Sequence, residues 1–297
     1  MKILLTGATG FIGKHLSQKL IEAGHTVHAI IRNSSDRQRL DPMLNVHIHD
    51  ETVADLIGYF ERERFDGIIH LASLFLAAHS ADQIEKLIAS NVTFGTLLLE
   101  ASKTSKVKWF INTGTFWQHY RDRDYDPVNL YAATKEAFEK IAAYYSETSG
   151  LIFTTLKLND TSGPDETWNK IFNLWEKNSQ TDEVLEMSGG EQLIDISYID
   201  DVVSAYLKLT EHLSSEHAND FRGKSFAVIS ASRMSLKDLA CEFEKATGKR
   251  LNIVWGARPY REREVMVPWT KGKPVPGWKP RYTLHEAIQK TSGAQHD

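Results

Sequence analysis

Tyr131 and Lys135 stand four residues apart in the run YAATK, a spacing that sets a phenol and an ammonium on one face of a helix. A free phenol titrates near ~10 and a nearby cation favours its ionised form, so this pair is suited to exchanging a proton with a carbonyl oxygen at neutral pH. A third group is expected at the end of the preceding strand, where Asn112, Thr113, Gly114 and Thr115 follow the apolar Trp109, Phe110 and Ile111. A threonine hydroxyl there would hold the carbonyl. Thr113 lies nearer the strand end, and Thr115 is the alternative.

A second constellation is rich in glycine. Gly7, Gly10 and Gly13, with Thr9, Phe11 and Ile12 between them, lie between an apolar strand and a helix. Without Cβ atoms the backbone turns tightly and approaches a pyrophosphate, while the helix N-terminus offers unpaired N–H groups to the anion. The next strand ends at Ile31 and is followed by Arg32, Asn33, Ser34 and Ser35, where NAD-binding folds place an acidic residue for the ribose hydroxyls. A guanidinium suits a 2′-phosphate, so NADP(H) is the expected cofactor.

These groups need a scaffold, and the first half of the chain supplies an alternating one. Apolar strands are expected at 3–5, 27–31, 46–48, 67–71, 109–112 and 153–158, with helices opening at the glycine loop and at 82–102 and 131–146. Continuous apolar strands between helices indicate an α/β fold, a doubly wound Rossmann-type parallel sheet. Beyond residue 158 the alternation fades into helices at 168–177, 200–212 and 236–247 and strands at 194–198 and 225–229. This is the pattern of a smaller mixed lobe. The stretch 268–280 holds four of the eight prolines and reads as an extended surface segment. The expected division gives residues 1–160 and 191–229 to the NADP-binding unit, and 161–190 and 230–297 to the substrate lobe.

With 41% apolar and 25% charged residues, the 297-residue chain has the composition of a globular protein. Thirty-five basic against 39 acidic side chains leave no surplus to neutralise nucleic-acid phosphates. No run approaches the ~20 apolar residues of a membrane span, and no signal peptide is legible, so a cytoplasmic location is expected. The lone cysteine, Cys241, reads as a small buried hydrophobe. His47 and His49 share one strand face at a ligand-like spacing, but no third ligand is evident nearby in sequence, and no metal is expected.

The residues quoted so far resemble the extended short-chain dehydrogenase/reductase family, in its nucleotide-sugar branch. The resemblance covers nearly the whole chain, including His70-Leu71-Ala72, the stretch 91–95 (NVTFG) and the stretch 195–202 (DISYIDDV). It implies that Thr113, Tyr131 and Lys135 are catalytic and that Lys135 also holds the nicotinamide ribose. It further implies that Leu71, Ala72 and Ser73 line the cofactor, with Asp50 and Asn91 beside it. Sugar 4,6-dehydratases of the branch carry an Asp-Glu pair directly after the catalytic threonine; Gly114 and Thr115 stand there instead. The segments 113–120 (TGTFWQHY), 158–164 (LNDTSGP), 189–201 (GGEQLIDISYIDD) and 256–266 (GARPYREREVM) are similar to the CDP-abequose and CDP-paratose synthases. That similarity implies NADPH-dependent reduction of a CDP-4-keto-3,6-dideoxyhexose for O-antigen sugars. Other 4-ketoreductases, acting on GDP- or dTDP-sugars, an epimerase, and a non-catalytic NADP-binding regulator are the alternatives.

The expected substrate contacts are Thr115, Trp117, Gln118, His119 and Asn159, with Arg261 on the diphosphate and Arg233 helping. Ile194 occupies a place where the family commonly has an arginine. His119 is a solvated loop histidine in the plain reading, and an extra acid or base if an epimerisation step exists. Leu97, Leu98, Leu99, Tyr144 and Tyr145 widen the apolar faces of the helices at 82–102 and 131–146. Family members dimerise through these helices, and a homodimer is expected.

Overall fold

The computed structural model describes residues 1–166 and 170–293. Its first half runs β1 (Lys2–Thr6), α1 (Phe11–Glu22), β2 (Thr26–Ile31), β3 (Asn45–Ile48), α2 (Val53–Glu63), β4 (Gly67–His70), α3 (Ile84–Ile88), α4 (Phe94–Thr104), β5 (Trp109–Thr115), α5 (Leu130–Thr148) and β6 (Ile152–Leu158). There follow β7 (Asp160–Ser162), α6 (Ile171–Asn178), β8 (Leu185–Met187), β9 (Leu193–Ile194), β10 (Ile196–Tyr198), α7 (Ile199–Leu213), β11 (Ser225–Ala227), β12 (Met234–Ser235), α8 (Leu236–Thr247), β13 (Ile253–Trp255) and α9 (Leu284–Ser292).

A seven-stranded sheet in the order β11-β6-β5-β4-β1-β2-β3 forms the centre, and its strand pairs are parallel. The expected Rossmann-type architecture is thus present. The order reverses between β1 and β4, which opens a crevice beyond their carboxyl ends. Residues alternate between two buried faces. Ile3, Leu5 and Ile111 join Leu16 of α1 and Val202 and Leu209 of α7, whereas Leu4, Ile68 and Phe110 join Leu56 of α2, Leu98 of α4 and Phe138 of α5. Among the described residues, the smaller lobe packs α6, α8 and α9 around Trp175, Phe243 and Ile288, with short strand pairs at its margin. No helix there or elsewhere among them is long and apolar enough to cross a membrane.

Several expectations change. Strand β5 continues through Thr115, so Thr113 and Thr115 sit on the strand itself. The helix expected at 82–102 opens with a 3-10 turn and passes through a π-helical turn, Ala89–Thr93, which points Asn91 inward. The strand expected at 194–198 breaks at Asp195, whose carboxylate accepts from the Ser230 N–H (3.1 Å) and Arg233 Nε (2.7 Å). The opening residues of the helix expected from Trp168, like the last residues of the chain, lie outside the described residues. Helices α2 and α9 were not anticipated, although Thr52 and Thr283 cap them. Cys241 is exposed, on the outer side of α8. The proline-rich segment is not a surface strip throughout: Val275 and Trp278 are buried, and Trp278 Nε1 donates to Ser204 Oγ of α7 (2.8 Å).

Candidate active site

The glycine loop closes on itself through a bond from Gly10 N–H to the Gly7 carbonyl (2.9 Å). Gly7 takes φ +74°, and a Cβ there would lie 2.8 Å from Ala72 N, while one on Gly13 would stand 2.1 Å from the Gly7 oxygen. Gly10 caps α1 without a side-chain bond, which leaves the helix N-terminus open to an anion. This cradle fits the pyrophosphate of a dinucleotide. Thr9, Phe11 and Ile12 lie along it, and Leu71, Ala72 and Ser73 follow β4 on the opposite side of the crevice. Arg32 is exposed just past β2, in a turn fixed by bonds between its backbone N–H and Ser35 Oγ (3.1 Å) and between the Ser35 N–H and the Arg32 carbonyl (3.0 Å). Asn33 and Ser34 are exposed beside it.

Two cofactor candidates are placed differently from the expectation. Buried Asn91 accepts from the Leu74 N–H (2.7 Å) and Ser73 Oγ (3.3 Å), and donates to the Leu74 carbonyl and Thr134 Oγ1 (3.0 Å each). Its amide is fully used in pinning the 73–74 loop to α5, so it shapes the site rather than bonding to a ligand. Asp50 is exposed and accepts from the Thr52 N–H and hydroxyl (2.9 and 2.7 Å). Next to it α2 supplies the partner that was not evident to His47 and His49. Asp55 Oδ2 lies 2.8 Å from His47 Nε2 and 2.9 Å from His49 Nδ1, and these bonds clamp α2 to β3.

Helix α5 opens at Asn129, whose side chain accepts from the Ala132 N–H, and so sets Tyr131 and Lys135 at the crevice. The phenol does not titrate as expected in the free protein. Burial pushes Tyr131 up to about 12, against a hydrogen bond with Ser73, while burial brings Lys135 down to about 8, against the Glu139 carboxylate. Tyr131 therefore holds its proton, as a donor must. Thr113 Oγ1 is 2.6 Å from the Tyr206 hydroxyl. Thr115 is buried and accepts from the Trp117 N–H (3.3 Å), while Thr113 is half-buried two residues earlier on the strand.

The loop beyond β5 is the larger correction. Gln118 is wholly buried, donating to Glu136 (2.6 Å) and Glu139 (2.9 Å) and accepting from the Thr115 N–H (2.9 Å). His119 is not solvated: it is buried, stacked on Trp269 at 4.1 Å, and bonded to Lys157 Nζ (2.8 Å) and the Arg123 carbonyl (3.1 Å). Burial and then the Lys157 charge lower its pKa. Neither side chain retains a polar atom for a sugar. Trp117 is half-buried and meets the Phe75 ring at 5.6 Å. Asn159 is half-buried beyond β6, and Arg261 is exposed. Arg233 is committed to Asp195 and to the Trp269 carbonyl (2.8 Å), which makes it a clamp on that segment.

Residues 3–222 match the model of the NAD dependent epimerase/dehydratase family. The chain belongs to that family. CDP-abequose synthase of Salmonella muenchen is 28% identical over 294 residues, covering 97% of this chain and 96% of that one. UDP-glucose 4-epimerase of Thermotoga maritima, solved with UDP-glucose, superposes with a TM-score of 0.84 at 24% identity, covering 99% and 98% of the two chains. The UDP-glucose 4-epimerase of Thermus thermophilus, solved as a complex with NAD, gives 0.82 at 19%, covering 99% and 98%. At such identities the structural likeness is one of fold.

Within this family member, three crevice residues escaped the sequence reading. Phe75 stands 5.0 Å from the Tyr131 ring, edge to face, and joins it to Trp117. Tyr206 reaches Thr113 from α7. Asp160 lies within electrostatic reach of Lys170, Asp195 and Arg261. Only Asp160 had a signal, its place beside Asn159 in the stretch 158–164.

Proposed function

We propose that the chain reduces the C4 keto group of a nucleotide-linked deoxyhexose with NADPH, and that the substrate is a CDP-4-keto-3,6-dideoxyhexose. The observation that carries this reading is the environment of Gly114. A Cβ there would meet Lys157 Cγ at 2.8 Å, and Gln118 Oε1 and Thr155 Cγ2 at 2.9 Å, so an acidic side chain has no room where a dehydratase carries one. Thr115, at the second such place, carries no acid. Elimination lacks its proton carriers, whereas reduction needs only a donor to the oxygen. The full-length similarity to CDP-abequose synthase supports the same substrate class.

When bound, the cofactor supplies the hydride that becomes the C4 hydrogen. The glycine cradle holds its pyrophosphate, Arg32 its 2′-phosphate and Lys135 its nicotinamide ribose. Tyr131 gives its phenol proton to the carbonyl oxygen as that oxygen gains charge, and Thr113 donates a hydrogen bond to the same atom. Lys135 then steadies the phenolate. Arg261 takes the substrate diphosphate.

The reading also makes the protein a homodimer through α3, α4 and α5. Leu98, Leu99 and Tyr145 are buried within the chain, but Ile84, Ile88 and Tyr144 stay exposed on these helices.

Incubation with NADPH and CDP-, GDP- or dTDP-linked 4-ketosugars, followed by mass spectrometry, tests the reaction. The CDP-sugar is expected to gain two hydrogens. An isomer of unchanged mass would mark an epimerase, and binding without turnover a regulator; either would sink the reading.

A further inference from the structure

Tyr206 lies on the sheet-facing stripe of α7 among Val202, Val203 and Leu209, and its ring is wholly buried. Phenylalanine would fill such a place equally well. The hydroxyl is what needs explaining: among the described residues it bonds to Thr113 Oγ1 alone, at 2.6 Å, and it lies within electrostatic reach of Tyr131. Three hydroxyls from α7, β5 and α5 therefore converge at the carboxyl edge of the sheet.

We propose that Tyr206 is a positioning residue that donates its hydroxyl proton to Thr113 Oγ1 and so turns the Thr113 hydroxyl outward, as a donor to the substrate carbonyl. The proposal rests on the reductase reading above. Its physical basis is the difference in acidity between the two groups. A phenol, near ~10 when free, is a far stronger acid than an aliphatic alcohol, so the shared proton arrangement favours Tyr206 as donor and Thr113 as acceptor. A hydroxyl carries one proton and two lone pairs. With one lone pair taken by Tyr206, the Thr113 proton is left for another acceptor, and accepting a bond polarises it further. In this arrangement Tyr131 gives up a proton to the carbonyl oxygen and Thr113 holds one out to it.

The test is a double-mutant cycle of Tyr206→Phe and Thr113→Val on the full chain, read by kcat and KM for the 4-ketosugar, by calorimetric binding of the alcohol product, and by the melting temperature. Tyr206→Phe is expected to lower kcat roughly 3- to 10-fold, the scale of one neutral hydrogen bond, with KM and product binding unchanged. The loss should vanish in the Thr113→Val background. A kcat within twofold of wild type, or an equal loss with and without the Thr113 hydroxyl, would overturn the proposal. If Tyr206→Phe melts far below wild type, Thr113→Ser decides: a held serine hydroxyl should retain most of kcat, and a loss as deep as that of Thr113→Val would overturn it. Wild-type protein inert on every 4-ketosugar would remove the reductase reading and this proposal together, whereas an active wild type with an insensitive Tyr206→Phe removes this proposal alone.

Discussion

Lys157 Nζ lies 2.8 Å from His119 Nε2 and 3.6 Å from Glu139 Oε2, in a buried layer of charge beside the end of β5. An ammonium can only donate, so His119 accepts at Nε2 and carries its proton on Nδ1, toward the Arg123 carbonyl. The ring is therefore neutral and fixed in one tautomer. Glu139, held by Gln118 and one helical turn from Lys135, links this layer to that lysine.

Removing the cation leaves Glu139 buried beside a histidine that cannot replace it. Lys157→Met is expected to lower unfolding free energy by about 3 kcal/mol, because breaking a buried pair strands its partner. Adding Glu139→Gln should recover part of that loss. Urea unfolding of the three proteins measures both, and a change under about 1 kcal/mol in Lys157→Met would show that water already screens the group.

The buried His70 sets an acid limit on stability. Its Nδ1 bonds with Thr6 Oγ1 at 2.8 Å, Phe94, Phe110 and Phe138 surround the ring, and burial first, then the Lys135 charge, lowers its pKa to about 3. The folded value lies below the unfolded ~6.5, so the contribution of the neutral ring is complete above about pH 6.5 and fades as pH falls toward 3, at roughly 1.4 kcal/mol per pH unit. Wild type should lose its urea midpoint faster than His70→Leu between pH 6.5 and 4. Parallel pH curves would refute this.

The strands and the glycine loop were legible because continuous apolar runs and missing Cβ atoms leave local marks. The roles of Gln118 and His119 were not, because a loop following a catalytic strand gives no sign of whether it turns toward the crevice or under it. What turns it under is Lys157, the one charge in β6 and distant in sequence. Helix α2 escaped for a related reason: Leu56, Tyr59 and Phe60 mark a buried face, but the charged residues between them gave the segment the look of a surface loop. The expected lowering of the Tyr131 phenol failed because spacing reports that Lys135 is near and says nothing of burial, which dominates both groups.

The proposed use of NADPH rests on Arg32, exposed just past β2 where an acidic residue would select a ribose hydroxyl. A bidentate contact with a 2′-phosphate is charge-assisted and worth ~1.5–3 kcal/mol. Arg32→Ala should then lower kcat/KM for NADPH roughly 10- to 100-fold and leave NADH nearly unchanged. An unaltered preference would move the phosphate contact to Arg37 or Arg39, in the turn that follows.

Tyr131 decides whether the crevice is a reductase site at all. Its phenol keeps its proton to about pH 12 in the free protein, so a donor is present throughout the working range and no alkaline limb should arise from it there. Tyr131→Phe removes that proton while keeping the ring against Phe75, and the rate is expected to fall on the order of 10²- to 10⁴-fold. Stability should change little, since Ser73 is exposed and its hydroxyl can turn to water or to Asn91. Cofactor binding, followed by fluorescence titration, should also persist, because the glycine cradle and Lys135 are untouched. Full turnover in the variant would transfer the proton donation to Thr113, and loss of cofactor binding would mean that the phenol holds the dinucleotide rather than serving the substrate oxygen.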